Sequence, residues 1–169
     1  TIAIKDVSRV FTHEIVRNRA GMAYSQESLR YVRLTDIPFW FPGSLRKDTP
    51  LHEEAMELFG ETVRMLERAQ YVLAKMFGID DEKDFHVKKQ LTSMFRRIAP
   101  IGLATSIMVT ANLRSWRHVI EQRTNPAAEE EIRLVIGKAA NILRIEFPSC
   151  FQDMTRNEDG SYVFARSKV

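Results

Sequence analysis

Arg17-Asn18-Arg19-Ala20-Gly21-Met22-Ala23-Tyr24-Ser25-Gln26-Glu27-Ser28-Leu29-Arg30-Tyr31 crowds three guanidiniums, two carboxamides, one carboxylate and two serine hydroxyls around a Gly-containing turn. Forked donors at this density suit a pocket for a polyanionic ligand that also presents an edge of donors and acceptors. A solvated helix end followed by a polar loop accounts for the composition equally well, so the flanking chain has to separate the two. Upstream, Ile2 and Ile4 alternate with small or polar neighbours across Thr1 to Lys5, a short strand signal. Asp6 is then placed to cap a helix with Val7, Val10, Phe11 and Ile15 on or near one face, running to about Arg19 until Gly21 breaks it. Downstream, Tyr31-Val32-Arg33-Leu34 alternates like a strand, and Pro38, Pro42 and Gly43 mark an irregular connection through Phe39, Trp40 and Phe41.

From Leu51 to Phe77, apolar residues recur at steps of three and four until Gly78, which predicts a long helix. A second helix is expected over roughly Asp81 to Ile98, before Pro100. Leu103 to Thr110 is rich in Thr, Ile and Val, and reads as a strand or an irregular helix. Asn112 to Glu121 reads as helical, and Pro126 suits the first turn of a further helix carrying Ile132, Val135, Ile136, Ala139, Ala140, Ile142 and Leu143, which Pro148 ends. A turn at Asn157-Glu158-Asp159-Gly160 leads into an edge strand over Ser161 to Phe164. The expected fold class is α+β, a helix-rich single domain over residues 1–169 with a small antiparallel sheet.

Composition narrows the function. The chain of 169 residues is 44% apolar and 28% charged, ordinary for one globular domain with a real core. The formal charge is only +3, with arginines gathered around residues 17 to 33, 96 to 97 and 114 to 123. That pattern favours discrete anion sites over a broad basic surface, hence phosphate-bearing small molecules over duplex nucleic acid. No apolar run approaches the roughly 18 residues of a membrane span, and Thr1 to Asp6 is too polar and short for a signal peptide, so no membrane role and a cytoplasmic location are expected. The chain opens on Thr with a strand pattern under way, from which a further N-terminal segment is expected.

Several chemistries drop out. His13-Glu14 begins like a zinc-protease helix, but the position four after His13 is Arg17, and His52, His86 and His118 lack ligand spacing, so no metal is expected. The lone Cys150 excludes an internal disulfide framework and reads as a buried structural thiol. Arginine chemistry remains. Arg114 and His118 are four apart on one face of the Asn112–Glu121 helix, while Asn112 and Arg123 share another if the helix begins early and runs on, so one helix could face two ligands. A surface helix dotted with solvated charges is the plainer alternative.

Taken together, these segments resemble the flavin-dependent thymidylate synthases, the ThyX family. The family signature is Arg-His-Arg, about seven residues, Ser, one residue, then Arg-Tyr; here Arg17-Asn18-Arg19 leads to Ser28-Leu29-Arg30-Tyr31, after His13-Glu14-Ile15-Val16. Arg96-Arg97-Ile98-Ala99-Pro100 looks like the family's Arg-x-x-Leu-Pro element, with Ala99 replacing Leu, and Asn112-Leu113-Arg114-Ser115 with His118 and Arg123 looks like its Asn-x-Arg block. The blocks keep their order from about residue 4 to 155. Asn18 stands for the signature His, the gap before Ser28 is one residue longer, and Glu14 stands where Gln is more frequent, a carboxylate to be neutralised by a proton or by Arg17.

The resemblance implies a ThyX-like fold and a homotetramer with sites between subunits. It implies reductive methylation of dUMP to dTMP with methylenetetrahydrofolate and NADPH through bound FAD. Carried over by position, Arg17, Asn18, Arg19, Gln26, Asn112, Leu113, Arg114 and His118 would contact FAD. Glu14, Arg17, Gln26, Glu27, Ser28, Leu29, Arg30, Arg96 and Arg123 would hold dUMP, with Arg123 the catalytic residue. Tyr24, Tyr31 and Trp116 would pack. Two other readings stand beside this one: a non-catalytic or differently specific nucleotide-binding relative, and a helical nucleic-acid-binding protein.

Overall fold

The computed structural model describes residues 1–166, an α+β arrangement in which helices dominate. In chain order the elements are β1 (Ile2–Ser8), α1 (Arg9–Ile15), β2 (Met22–Gln26), α2 (Pro50–Met76), α3 (Phe85–Phe95), β3 (Ala104–Ala111), α4 (Leu113–Arg123), α5 (Glu130–Glu146), α6 (Pro148–Phe151), β4 (Met154–Arg156) and β5 (Tyr162–Phe164). β3 is the central strand of a three-stranded sheet in the order β1-β3-β2; β4 and β5 form an antiparallel hairpin. The chain divides into two compact units.

Among the described residues, the first unit comprises Thr1–Lys5, Val10–Ser25 and residues 107–166. Its framework is α4 against α5 and β5, and α5 against α6. The amphipathic spacing supplies the reason: α4 buries Trp116, Val119 and Ile120, and α5 buries Ile132, Ile136, Ala139, Ala140 and Leu143. Each large apolar side chain so buried contributes about 1.5–3 kcal/mol. Thr124 fastens the end of α4, its Oγ1 donating to Ile120 O at 2.7 Å and accepting from Tyr162 N at 2.9 Å. Arg117 braces the same unit through two bonds to Asp153, at 2.6 and 2.8 Å, and one each to the carbonyls of Cys150 and Arg166. Its guanidinium also lies 4.1 Å from the Phe164 ring centroid.

The second unit comprises Asp6–Arg9 and Gln26–Ser106. Leu34, Ile37, Val63 and Leu103 form one apolar cluster, and Ala74, Ile79 and Phe95 another. The buried Gln70 side chain of α2 donates to Phe95 O at 2.9 Å, tying α2 to the end of α3. Past α2, Gly78 takes φ +58, the left-handed geometry that ends a helix. Leu51, Leu58, Met65 and Val72 of α2 are exposed, so its core role is narrower than its apolar content implies.

Five local expectations need correction. Cys150 is exposed, not buried, because it lies on the short α6, which turns Phe151 inward instead. Asp6 does not cap a helix; it lies inside β1 at φ +56, because Val7 and Ser8, both buried, prolong the strand before α1 begins at Arg9. The helix stops at Ile15, short of Arg19. Residues 31–34 are not a strand: Leu29–Tyr31 form a 3-10 turn that Ser28 caps, and Leu34 inserts into the core from irregular chain. Pro126 precedes α5 instead of opening it, and Glu129 caps the helix by accepting from Glu131 N and Ile132 N. Leu103 to Thr110 resolves as a strand, and the Asn157–Gly160 turn joins the expected β5 to β4, which periodicity did not reveal.

Candidate functional site

In the first unit, several of the predicted residues gather where α1 stops. Ile15 O accepts from Asn18 N and from Asn18 Nδ2, both at 3.1 Å, which diverts the chain out of the helix. The Tyr24 hydroxyl lies against the Ile15 and Asn18 carbonyls, donating its one proton to this pair of acceptors. Burial raises the Tyr24 pKa, an effect the Arg123 charge opposes. Beyond the turn, Asn112 N donates to Gly21 O at 3.2 Å, and Ser115 Oγ donates to Ala20 O at 2.8 Å. Asn112 also caps α4, its Oδ1 accepting from Ser115 N at 2.8 Å.

Gly21 is required twice over in this loop. Its φ is +69, and a Cβ on it would run into the Asn112 and Ser115 side chains. Gly21→Ala is expected to cost more than about 1 kcal/mol of stability and to disturb the Arg17–Arg19 loop. A thermal melt of the variant checks this, and an unchanged midpoint would contradict it.

The centre of this cluster is Glu14. Arg123 Nη1 donates to Glu14 Oε2 at 3.0 Å and Arg123 Nη2 to Glu14 O at 3.2 Å, while Arg17 Nη1 reaches Glu14 Oε1 at 3.2 Å. The Glu14 carboxylate is therefore neutralised by Arg17, as expected, and also by Arg123. Arg123 is 15% exposed, and its buried Nε finds no hydrogen-bond partner among the described residues. A desolvated N–H without an acceptor costs roughly 1–3 kcal/mol, so this donor is poised for an incoming polar group. Arg19 stays exposed in the loop. Leu113, Arg114 and His118 lie elsewhere on α4, lining a cavity of about 940 Å³. α4 therefore sets Arg123 against Glu14 and Arg114 with His118 against the cavity.

The remaining predicted residues belong to the second unit. Gln26 ends β2, and Glu27 N donates to Ser106 O at 3.0 Å. Ser28 Oγ accepts from Arg30 N at 3.3 Å, and Leu29 packs on the Leu34 cluster, so both shape the turn that presents the exposed Arg30. Arg96 lies in a 3-10 turn directly after α3. Arg30 and Arg96 line neighbouring cavities that share Val32, Arg33 and Thr92.

Sequence reasoning missed Arg9, whose Nη2 donates to Glu27 O at 3.1 Å. Burial first, and then the Arg96 charge, lower the Arg9 pKa, a sign of two cations held near one another. Arg33, Lys88 and Lys89, which line the same cavity as Arg30, were also missed. Only the adjacency of Arg33 to the 17–31 stretch hinted at any of them.

The fold is of the helix-rich α+β class, and it gathers arginines around Glu14 with a buried guanidinium N–H that has no acceptor among the described residues. The family model described as thymidylate synthase complementing protein matches residues 1–149, and the chain belongs to that family. It is 31% identical over 153 residues to a flavin-dependent thymidylate synthase of Corynebacterium glutamicum, covering 90% of this chain and 60% of the relative. With that of Mycobacterium tuberculosis it shares 32% over 166 residues, 95% of this chain and 64% of the relative. The chain thus spans less than two-thirds of the length of these curated relatives. The crystal structure of flavin dependent thymidylate synthase ThyX from Helicobacter pylori, complexed with FAD and dUMP, matches with a TM-score of 0.61. That match has 18% identity and covers 89% of this chain and 70% of the other, a likeness of fold. No helix among the described residues is long and apolar enough to cross a membrane.

Proposed function

We propose that this chain carries the site of a flavin-dependent thymidylate synthase, which converts dUMP to dTMP using methylenetetrahydrofolate and NADPH through FAD. The observation that carries the reading is the Arg17–Glu14–Arg123 cluster with its unpartnered Arg123 Nε, on a chain of this family. Arg123 would lie against the uracil edge and stabilise the negative charge that develops on the ring as C5 becomes nucleophilic. Glu14 holds that guanidinium by two bonds, so its orientation is set before substrate arrives. Arg30 and Arg96 supply forked donors for the nucleotide phosphate, and the Ser28-capped turn fixes where Arg30 starts.

The residues present fit a flavin nucleotide. Arg114 and His118 line a cavity of about 940 Å³, and Arg17 and Arg19 sit on the loop tied to the start of α4. Arg17, Asn18, Arg19, Gln26, Asn112, Leu113, Arg114 and His118 are the residues we assign to holding it. When bound, FAD supplies the redox chemistry that turns a transferred methylene into a methyl group. Asn18 contributes hydrogen bonds there, and its carboxamide takes no part in proton transfer.

Assembly into a homotetramer with sites between subunits belongs to this reading, as does a cytoplasmic location with its nucleotide and folate substrates. Support for assembly comes from α2, whose Leu51, Leu58, Met65 and Val72 are exposed at steps of seven residues. The direct test is an absorption spectrum of the purified protein. A flavin band that shifts on adding dUMP is expected, and a colourless protein that takes up neither FAD nor dUMP would overturn the assignment. Arg30→Ala is expected to weaken dUMP binding about tenfold or more with the flavin band intact.

A further inference from the structure

A pocket of about 340 Å³ in the second unit gathers Arg30, Arg33, Lys88 and Lys89 around one acid, Asp80. That acid is engaged: Arg33 Nη1 donates to it at 2.6 Å, and the bond holds the Asp80 carboxyl below its usual range. Lys88 and Lys89 add basic side chains to this pocket beyond the Arg30 and Arg96 assigned to the nucleotide phosphate. The wall is one stripe of α3. Phe85, Lys88 and Lys89 follow at i, i+3 and i+4, which sets an exposed aromatic ring beside two ammonium groups.

We propose that this pocket is a subsite for the γ-linked glutamyl carboxylates of the folate co-substrate, a proposal that rests on the function assigned above. Lysines on flexible stems suit several separated carboxylates, where a single phosphate would favour donors converging on one point. The Phe85 ring offers an apolar face to the aryl group from which such a tail extends. Charges spread along the stripe would hold successive carboxylates and favour longer tails.

The test compares methylenetetrahydrofolate carrying one and four glutamates, in turnover and in direct binding to the flavin- and dUMP-loaded protein. Free tetra-γ-glutamate is titrated by calorimetry as a probe that needs no turnover. The tetraglutamate form is expected to bind about tenfold more tightly than the monoglutamate at low salt, an advantage that shrinks as salt rises. Lys88→Gln combined with Lys89→Gln should reduce that advantage below about threefold, with dUMP affinity and monoglutamate turnover unchanged. Circular dichroism confirms that the variant is folded, and Lys88→Gln alone gives an intermediate loss.

Equal binding of the two folates to the unmodified protein overturns the proposal. So does a double variant that loses dUMP affinity in step, or a pocket that dUTP occupies and tetra-γ-glutamate does not. A protein that binds free tetra-γ-glutamate through Lys88 and Lys89 yet makes no dTMP keeps the subsite and refutes the activity. Turnover indifferent to glutamate number does the reverse.

Discussion

Arg123→Ala is expected to lower dUMP-dependent formation of dTMP by about a hundred- to a thousandfold, with the flavin retained. The size follows from what the side chain does beyond carrying charge. That side chain is 15% exposed and held by Glu14 Oε2 and Glu14 O, and its Nε has no acceptor among the described residues. A donor fixed in that way loses nothing to reorganisation when charge reaches the ring, which is where preorganised electrostatics act most strongly. Arg123→Lys keeps the charge and loses the fork, so it should recover little of the rate. Loss in kcat/KM, with flavin binding unchanged, is the diagnostic pattern. Turnover close to that of the unmodified protein would remove Arg123 from the chemistry.

The largest expected effect on stability comes from Asp153→Ala. Asp153 accepts both Arg117 bonds with its side chain 19% exposed, so its removal strands a guanidinium packed against Phe164. Breaking a largely buried pair from one side costs about 3 kcal/mol, or roughly 6–12 °C in Tm for a domain of this size. The hydrogen bonds from Arg117 hold the Asp153 carboxyl well below the usual carboxylate range, and the same pairing raises the Arg117 pKa. A depressed folded-state pKa gives stability that is complete above the unfolded value of about 4 and drains away as pH falls below it. Thermal melts from neutral pH to about pH 3 should show this acid limb in the unmodified protein and its loss in Asp153→Asn. Identical limbs in both would refute the pairing.

Periodicity exposed what is local. α2, α4 and the Ala139–Leu143 face of α5 were legible because apolar residues recur at helical steps. The errors fall where a tertiary demand overrides a local signal. Asp6 reads as a cap, yet burial of Val7 and Ser8 keeps the strand going, and Ser28 with the pull of Leu34 into the core bends a chain whose alternation looks extended. For the site, the partnership of Glu14 with Arg123 spans 109 residues, and no spacing rule relates them. They were named together only through family resemblance. Arg9 escaped notice because its partner is the backbone carbonyl of Glu27, which no side-chain pattern encodes.

The exposed residues of α2 carry a geometric consequence. Leu51, Leu58, Met65 and Val72 repeat every seven positions, whereas a straight α-helix turns once in 3.6 residues. The row therefore drifts by about 20° per repeat around the helix surface. A second helix laid along it keeps contact from Leu51 to Val72 only by winding around α2 as a left-handed superhelix, and a rod laid strictly parallel would part from it before reaching the far end.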